Sequence, residues 1–204
     1  MGAFLSESLT SLGKGDKLTP TAATLSDIRT GQESLRLCRP VTPYQSPGRG
    51  AFLTPFLIKV AATGFGSGYA PIAPGTAGSL VGVVLYLALT HLPWPLRLVT
   101  ILILTFFAVY VSGEAEKIFN RKDSSYIVID EIVGQQFALF LVPPEVLYIA
   151  LGFLLFRLFD IVKPPPAGFF QEHLPGGWGV VMDDVAAGIW TNIILLLAIR
   201  FAGI

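Results

Sequence analysis

Beyond residue 50 the chain reads as a series of long apolar stretches separated by short polar links. Five stretches cover roughly 76–92, 95–113, 126–142, 145–162 and 184–204. Each has about 17–21 residues, near the minimum for an α-helix to cross a hydrocarbon core of about 30 Å. The first two are joined by Leu92-Pro93-Trp94-Pro95, the third and fourth by Val142-Pro143-Pro144-Glu145. Links this short allow only tight hairpins, and proline ends the helix at each. Trp94 suits a membrane–water interface. The segment 52–62 (FLTPFLIKVAA) is too short to cross and predicts an interfacial helix. The predicted fold is all-α: an integral membrane helical bundle of four to five short spans, four if one stretch dips in without crossing. The shortness of the stretches also leaves open a soluble bundle of buried helices.

Residues 1–50 follow a different pattern. They are rich in Ser, Thr, Gly and Pro, hold six basic residues and contain no long apolar run. Such a segment buries too little apolar surface to offset its ordering entropy. The expected organisation is a flexible cytoplasmic extension over 1–50 and a membrane domain over 51–204. No apolar core of a secretory signal follows the early charges.

Composition supports the membrane reading. Of 204 residues, 52% are hydrophobic and 14% charged, against about 25% charged in a soluble domain. Lys+Arg and Asp+Glu both number 14, which argues against nucleic acid as a partner because phosphate binding needs a basic excess. Cys38 is the only cysteine, so a disulfide framework and a cysteine metal site within the chain are excluded. His91 and His173 are the only histidines, which disfavours chemistry that needs several.

The hairpins fix which loops share a side. The N-terminal region and the loops 114–125 and 163–183 fall on one face; Arg97, Glu145 and Arg200 fall on the other. The first face carries seven basic residues before residue 60, then Lys117, Arg121, Lys122, Arg157 and Lys163. By the positive-inside rule this face is cytoplasmic. The acids Asp123, Asp130, Glu131, Asp160, Asp183 and Asp184 gather at the same ends of the apolar stretches. A helix N-terminus by itself favours an acid such as Asp183 or Asp184. It does not explain Asp130-Glu131 inside YIVIDEIVGQQF, nor Asp160 near a helix C-terminus. Ionisable residues in apolar segments are costly and mark functional sites. Arg157, Asp160 and Lys163 follow at i, i+3 and i+6, as an intrahelical ion pair or a cationic phosphate-binding face.

Residues 63–79 (TGFGSGYAPIAPGTAGS) form a glycine-rich entry segment. Gly64, Gly66 and Gly68 allow close backbone approach, Pro71 and Pro74 stiffen the chain, and Thr76 or Ser79 can cap the first span. Free amides at such a helix start suit an anion. The segment is neither a Walker A loop nor a dinucleotide fingerprint. A second flexible run, Pro175-Gly176-Gly177-Trp178-Gly179, precedes Asp183-Asp184; with Phe169 and Phe170 it places 164–182 in the interface. Carboxylates suited to a hard divalent cation thus sit beside cations and free amides at the headgroup layer. The indicated substrate is an amphiphile with a phosphorylated head.

Four motifs in order, GFGSGYAPIAPGTAGS, DSSYIVIDEIVGQ, FRLFDIVKPPP and GGWGVVMDDVAAG, closely resemble the phosphatidylglycerophosphatase A family over roughly residues 52–200. The resemblance implies a Mg²⁺-dependent phosphatase of the bacterial inner membrane, its active site facing the cytoplasm. Its reaction would convert phosphatidylglycerophosphate to phosphatidylglycerol and phosphate, the last step of phosphatidylglycerol synthesis. The family's patterned positions correspond to Gly66, Gly68, Pro71, Pro74, Gly75, Thr76, Gly78 and Ser79; to Asp123, Asp130, Glu131 and Gly134; to Arg157, Asp160, Lys163 and Pro164; and to Gly176, Gly177, Gly179, Asp183 and Asp184. On this basis Asp130, Glu131, Asp160, Asp183 and Asp184 are the expected metal ligands, with Asp130, Asp160 and Asp184 favoured. Glu131 or Asp123 stands near the attacking water. Arg157 and Lys163 bind the phosphate, beside a substrate-binding loop of Gly66, Gly68, Gly75, Thr76 and Ser79. Whether water or an aspartate is the nucleophile stays open, as does oligomeric state. The partner is a phospholipid in the membrane. A phosphatase for phosphatidate or a polyprenyl diphosphate and a non-enzymatic ion path are the alternatives. Acids at one face rather than the midplane disfavour the ion path.

Overall fold

Proline places the start of the first three helices. Pro55, Pro74 and Pro95 occupy the first or second position of α1 (Pro55–Ala62), α2 (Pro74–Leu89) and α3 (Trp94–Phe119), where a missing N–H costs no helical bond. The chain continues through α4 (Ile129–Ala138), α5 (Val146–Val162), α6 (Ala167–His173) and α7 (Gly177–Ala202), with a 3₁₀ turn at Ser67–Tyr69 between α1 and α2. The computed structural model describes residues 53–122 and 124–202; the expected extension over 1–50 lies outside them. Among the described residues there is no strand, in line with the all-α expectation.

Helix lengths differ from the five even stretches read in the sequence. α3 and α7, of 26 residues each, run about 39 Å and are long and apolar enough to cross a membrane. α2 has 16 residues and α5 has 17, about 24–26 Å. The stretch 126–142 is not one helix of spanning length. α4 covers ten of its residues, about 15 Å, and Leu141 takes a positive φ of 61°.

Side chains from neighbouring helices take up the carbonyls that α4 leaves open. Asn192 Nδ2 on α7 donates to the carbonyls of Ala138 (3.1 Å) and Phe140 (2.6 Å). The Tyr86 hydroxyl on α2 donates to the Val142 carbonyl at 2.7 Å. Non-helical backbone in apolar surroundings persists only where its polar groups are met inside the protein. Asn192→Leu is therefore expected to destabilise the fold by about 1–3 kcal/mol, read as a lower thermal midpoint in detergent. An unchanged midpoint would show that these bonds do not hold the α4–α5 link.

α4 lies at the centre, in contact with α2, α3, α5 and α7. Eight of its ten residues are buried, Asp130 among them. Small residues admit the neighbours. Gly75, Gly78 and Gly82 form a stripe on α2, and a Cβ at Gly78 would lie 2.7 Å from Val128 Cβ. On the other side, a Cβ at Gly188 of α7 would fall 2.3 Å from the Gly134 carbonyl oxygen of α4. Such small-residue contacts bring apolar helices together at short range. α3 does the opposite. Ile103 and Phe106 are each 63% exposed, on a helix whose outer face is a stripe of large apolar side chains.

Candidate active site

Three helix ends bring the acids together. Asp130 and Glu131 lie in the first turn of α4, where an acid is favoured by the helix dipole. Asp160 lies in the last turn of α5. Asp183 and Asp184 were expected at a helix start, but α7 begins six residues earlier, at Gly177. They sit in its second turn, 5% and 3% exposed, beyond the first-turn amides that stabilise an acid. The five carboxylates line a cleft of about 240 Å³, together with Lys163, Ser124, Ser125, Ile127 and Ile161.

Lys163 caps α5 in the left-handed conformation, φ 49°, and Pro164 after it disfavours a further helical turn. Its Nζ donates to Asp183 Oδ2 at 2.7 Å, while Asp183 Oδ1 accepts from the Asp184 amide at 3.0 Å. Burial pulls the Lys163 ammonium down. The hydrogen bond to Asp183 and the charges of Asp183, Asp160 and Asp184 outweigh that and hold it above the usual lysine range.

Arg157 forms the intrahelical ion pair with Asp160, one of the two readings of its spacing. Its Nη1 pairs with Asp160 Oδ2 at 2.7 Å and stands 4.0 Å from Glu131 Oε1, but it is not among the residues lining the cleft. Gly75 explains the arrangement. A Cβ there would fall 2.3 Å from Glu131 Oε1 and 3.0 Å from Arg157 Nη2. Arg157 thus lies between α2 and the carboxylates, paired with Asp160 and next to Glu131.

The remaining glycine-loop residues divide. Gly66 is exposed, with φ 97°, and lines a different groove. Gly68 packs on the Tyr126 backbone, its absent Cβ only 2.2 Å from the Tyr126 carbonyl oxygen. Ser79 is fully buried and donates to the Gly75 carbonyl at 2.9 Å. α2 starts after Ala73 in a left-handed conformation with no side-chain cap, so the capping expected of Thr76 or Ser79 is not seen. Gly75 abuts Glu131, and Thr76 is not among the described residues that line the cleft. Asp123 lies outside the described residues. Ser124 and Ser125 line the cleft but were not singled out from the sequence; their place in the DSSYIVIDE run was the available signal.

The donor set fits a divalent cation. One oxygen each from Asp130, Glu131 and Asp184 lie within 4.8 Å of one another. Asp130 Oδ1 and Glu131 Oε2 are buried and find no donor among the described residues. Among the described residues the cations close to the five carboxylates are Lys163 and Arg157, so the acids outnumber the cations at the cleft. Hard cations with oxygen ligands resolve both features.

The model of the family described as phosphatidylglycerophosphatase A matches residues 60–199, a range that holds every residue of the cleft. The chain belongs to the phosphatidylglycerophosphatase A family. It is 36% identical over 129 residues to the phosphatidylglycerophosphatase A of Escherichia coli (strain K12), covering 63% of this chain and 75% of that protein. It is 36% identical over 146 residues to the phosphatidylglycerophosphatase A of Haemophilus influenzae, covering 71% and 89%. It is also 39% identical over 152 residues, 70% of this chain and 94% of the relative, to a Bacteroides thetaiotaomicron protein whose provisional name is phosphatidylinositol-3-phosphatase. No solved structure matches. Membership makes the chain an enzyme, a phosphatase.

Proposed function

We propose that this enzyme hydrolyses phosphatidylglycerophosphate to phosphatidylglycerol and inorganic phosphate with Mg²⁺, as the last step of phosphatidylglycerol synthesis at the bacterial inner membrane. The observation that carries the reading is the buried carboxylate cleft inside the family match. The exposed apolar stripe of α3 and the length of α7 support a membrane protein. α2 and α5 accompany them across, and α4 dips in with its end closed by Asn192 and Tyr86. This gives four spans, with the cleft facing the cytoplasm by the distribution of basic residues. The apolar Ile161 at the cleft wall, 72% exposed, suits a lipid that arrives from the bilayer.

Asp130, Glu131 and Asp184 would hold the Mg²⁺, with Asp160 and Asp183 at the edge of the set. Bound there, Mg²⁺ supplies positive charge to the phosphate oxygens and offsets the charge that builds up during attack at phosphorus. Lys163, already charged and anchored on Asp183, lies at the cleft wall within reach of a phosphate oxygen. Arg157 keeps Asp160 and Glu131 in place. The Ser124 and Ser125 hydroxyls offer neutral donors to the phosphate or the headgroup.

The Bacteroides relative favours a second reading, in which the phosphate is removed from a phosphoinositide. Purified protein in micelles decides between them. Phosphate release is expected from phosphatidylglycerophosphate with Mg²⁺, little from phosphatidylinositol 3-phosphate, and none with EDTA. Preference for the inositol lipid would replace the first reading with the second. Undiminished release in EDTA would remove the metal from the mechanism.

A further inference from the structure

A second concavity lies between α1 and the glycine-rich turn. It has a volume of about 300 Å³ and is lined by Phe56, Lys59, Val60, Phe65 and Tyr69 among others. Among the described residues that line it, Lys59 is the one charged side chain, and it is the only charged residue in α1. It forms no ion pair among the described residues. The walls are apolar and turned outward: Phe56 is 71% exposed and Phe65 86%.

Phe65 holds this position against a backbone preference. Gly64, Phe65 and Gly66 all have positive φ, 52°, 56° and 97°. Two are glycines, which adopt that region freely, whereas Phe65 does so with strain. Its amide donates to the Val60 carbonyl at 2.9 Å, which fixes the backbone from which the ring projects beside the groove. Strain kept at an exposed aromatic suggests a role for that ring outside the fold.

The groove adjoins the catalytic cleft. Tyr69 stacks at a tilt on Tyr126, with ring centroids 5.4 Å apart. Tyr126 is flanked in the chain by Ser125 and Ile127, both in the cleft wall. A lone cation among exposed aromatics is complementary to one amphiphile class, an acid headgroup carrying hydrocarbon.

We propose that this groove binds an anionic phospholipid of the surrounding membrane, with its headgroup phosphate on Lys59 and its acyl carbons along Phe56, Phe65 and Tyr69. The site is separate from the carboxylate cleft and would keep a lipid one aromatic pair away from it. The inference rests on the membrane location proposed above, not on the phosphatase reading.

The test uses the full-length protein in bilayer nanodiscs doped with phosphatidylglycerol or phosphatidylcholine, each carrying the same diazirine in an acyl chain. After irradiation, labelled peptides are located by mass spectrometry. Labelling of residues 53–72 is expected to be several-fold greater with phosphatidylglycerol. Lys59→Gln should reduce it about fivefold, the worth of one lysine at an anionic surface; Lys59→Arg should retain it. Labelling of α3 and α7 should not depend on headgroup. Equal labelling of 53–72 by both lipids, or no change in Lys59→Gln, would overturn the site while leaving the membrane reading intact. So would protection of 53–72 from both probes by residues 1–52 or by a second copy. No labelling of α3 or α7 would overturn the membrane reading and the site with it.

Discussion

Asp184→Asn is expected to lower phosphate release by about a thousandfold or more. The substitution keeps the shape of the side chain and removes its charge. Losing one electrostatic contributor at a reacting centre costs about 10²–10³ in rate, about 2.7–4 kcal/mol, and the loss of a metal ligand adds weaker binding of the cation to that. The same variant should not be less stable without metal. Asp184 is buried in the second turn of α7 beside Asp183 and within 4.8 Å of Asp130 and Glu131 oxygens. Removing one of these like charges relieves repulsion. The expected pattern is therefore specific. Wild type gains thermal stability with Mg²⁺, because a ligand that binds only the folded state stabilises it. Asp184→Asn starts no lower in EDTA and gains little when Mg²⁺ is added. Asp130→Asn should behave alike. Near-normal turnover in both variants, with the fold intact, would sink the carboxylate cleft as the active site.

The acids were legible because charges in apolar sequence are conspicuous. Asp130-Glu131 inside YIVIDEIVGQQF and Asp160 beside Arg157 needed no tertiary information. The helix boundaries were less so. The stretch 126–142 carries the hydropathy of a span, yet its helix is ten residues long. What closes its end, Asn192 and Tyr86, lies more than 50 positions away in the chain. The early start of α7 at Gly177 was hidden for a related reason. Glycine and tryptophan read as loop and interface, but Gly177 is a contact point. A Cβ there would fall 1.9 Å from the Val109 carbonyl oxygen of α3, so packing outweighs its poor helix propensity. Arg157 shows the limit of residue type as a guide. An arginine near a phosphate site suggests a phosphate ligand, and only the structure places it between Gly75 and the carboxylates.

Gly75→Ala and Gly188→Ala are expected to fail in different ways, and the difference tests how the site is supported. Both add one methyl group at a helix contact, and both would meet an oxygen 2.3 Å away. At Gly75 that oxygen is Glu131 Oε1, the end of a flexible side chain, with Arg157 Nη1 and Nη2 next to it. The carboxylate can swing aside, so the fold survives. Glu131 then leaves its place beside Asp130 and Asp184, and a displacement of about 1 Å at a catalytic group costs about a hundredfold in rate. At Gly188 the oxygen is the backbone carbonyl of Gly134, within the central helix. It cannot turn away without moving α4 against α7, and overpacking of this kind costs about 1–3 kcal/mol. Gly75→Ala should therefore keep its thermal midpoint and lose activity, whereas Gly188→Ala should lose thermal stability first. Thermal melts and phosphate release on the two purified variants check both halves. Full activity in a folded Gly75→Ala protein would mean that the Glu131–Arg157 contact is not what aligns the acids. The glycine stripe of α2 would then serve helix packing alone.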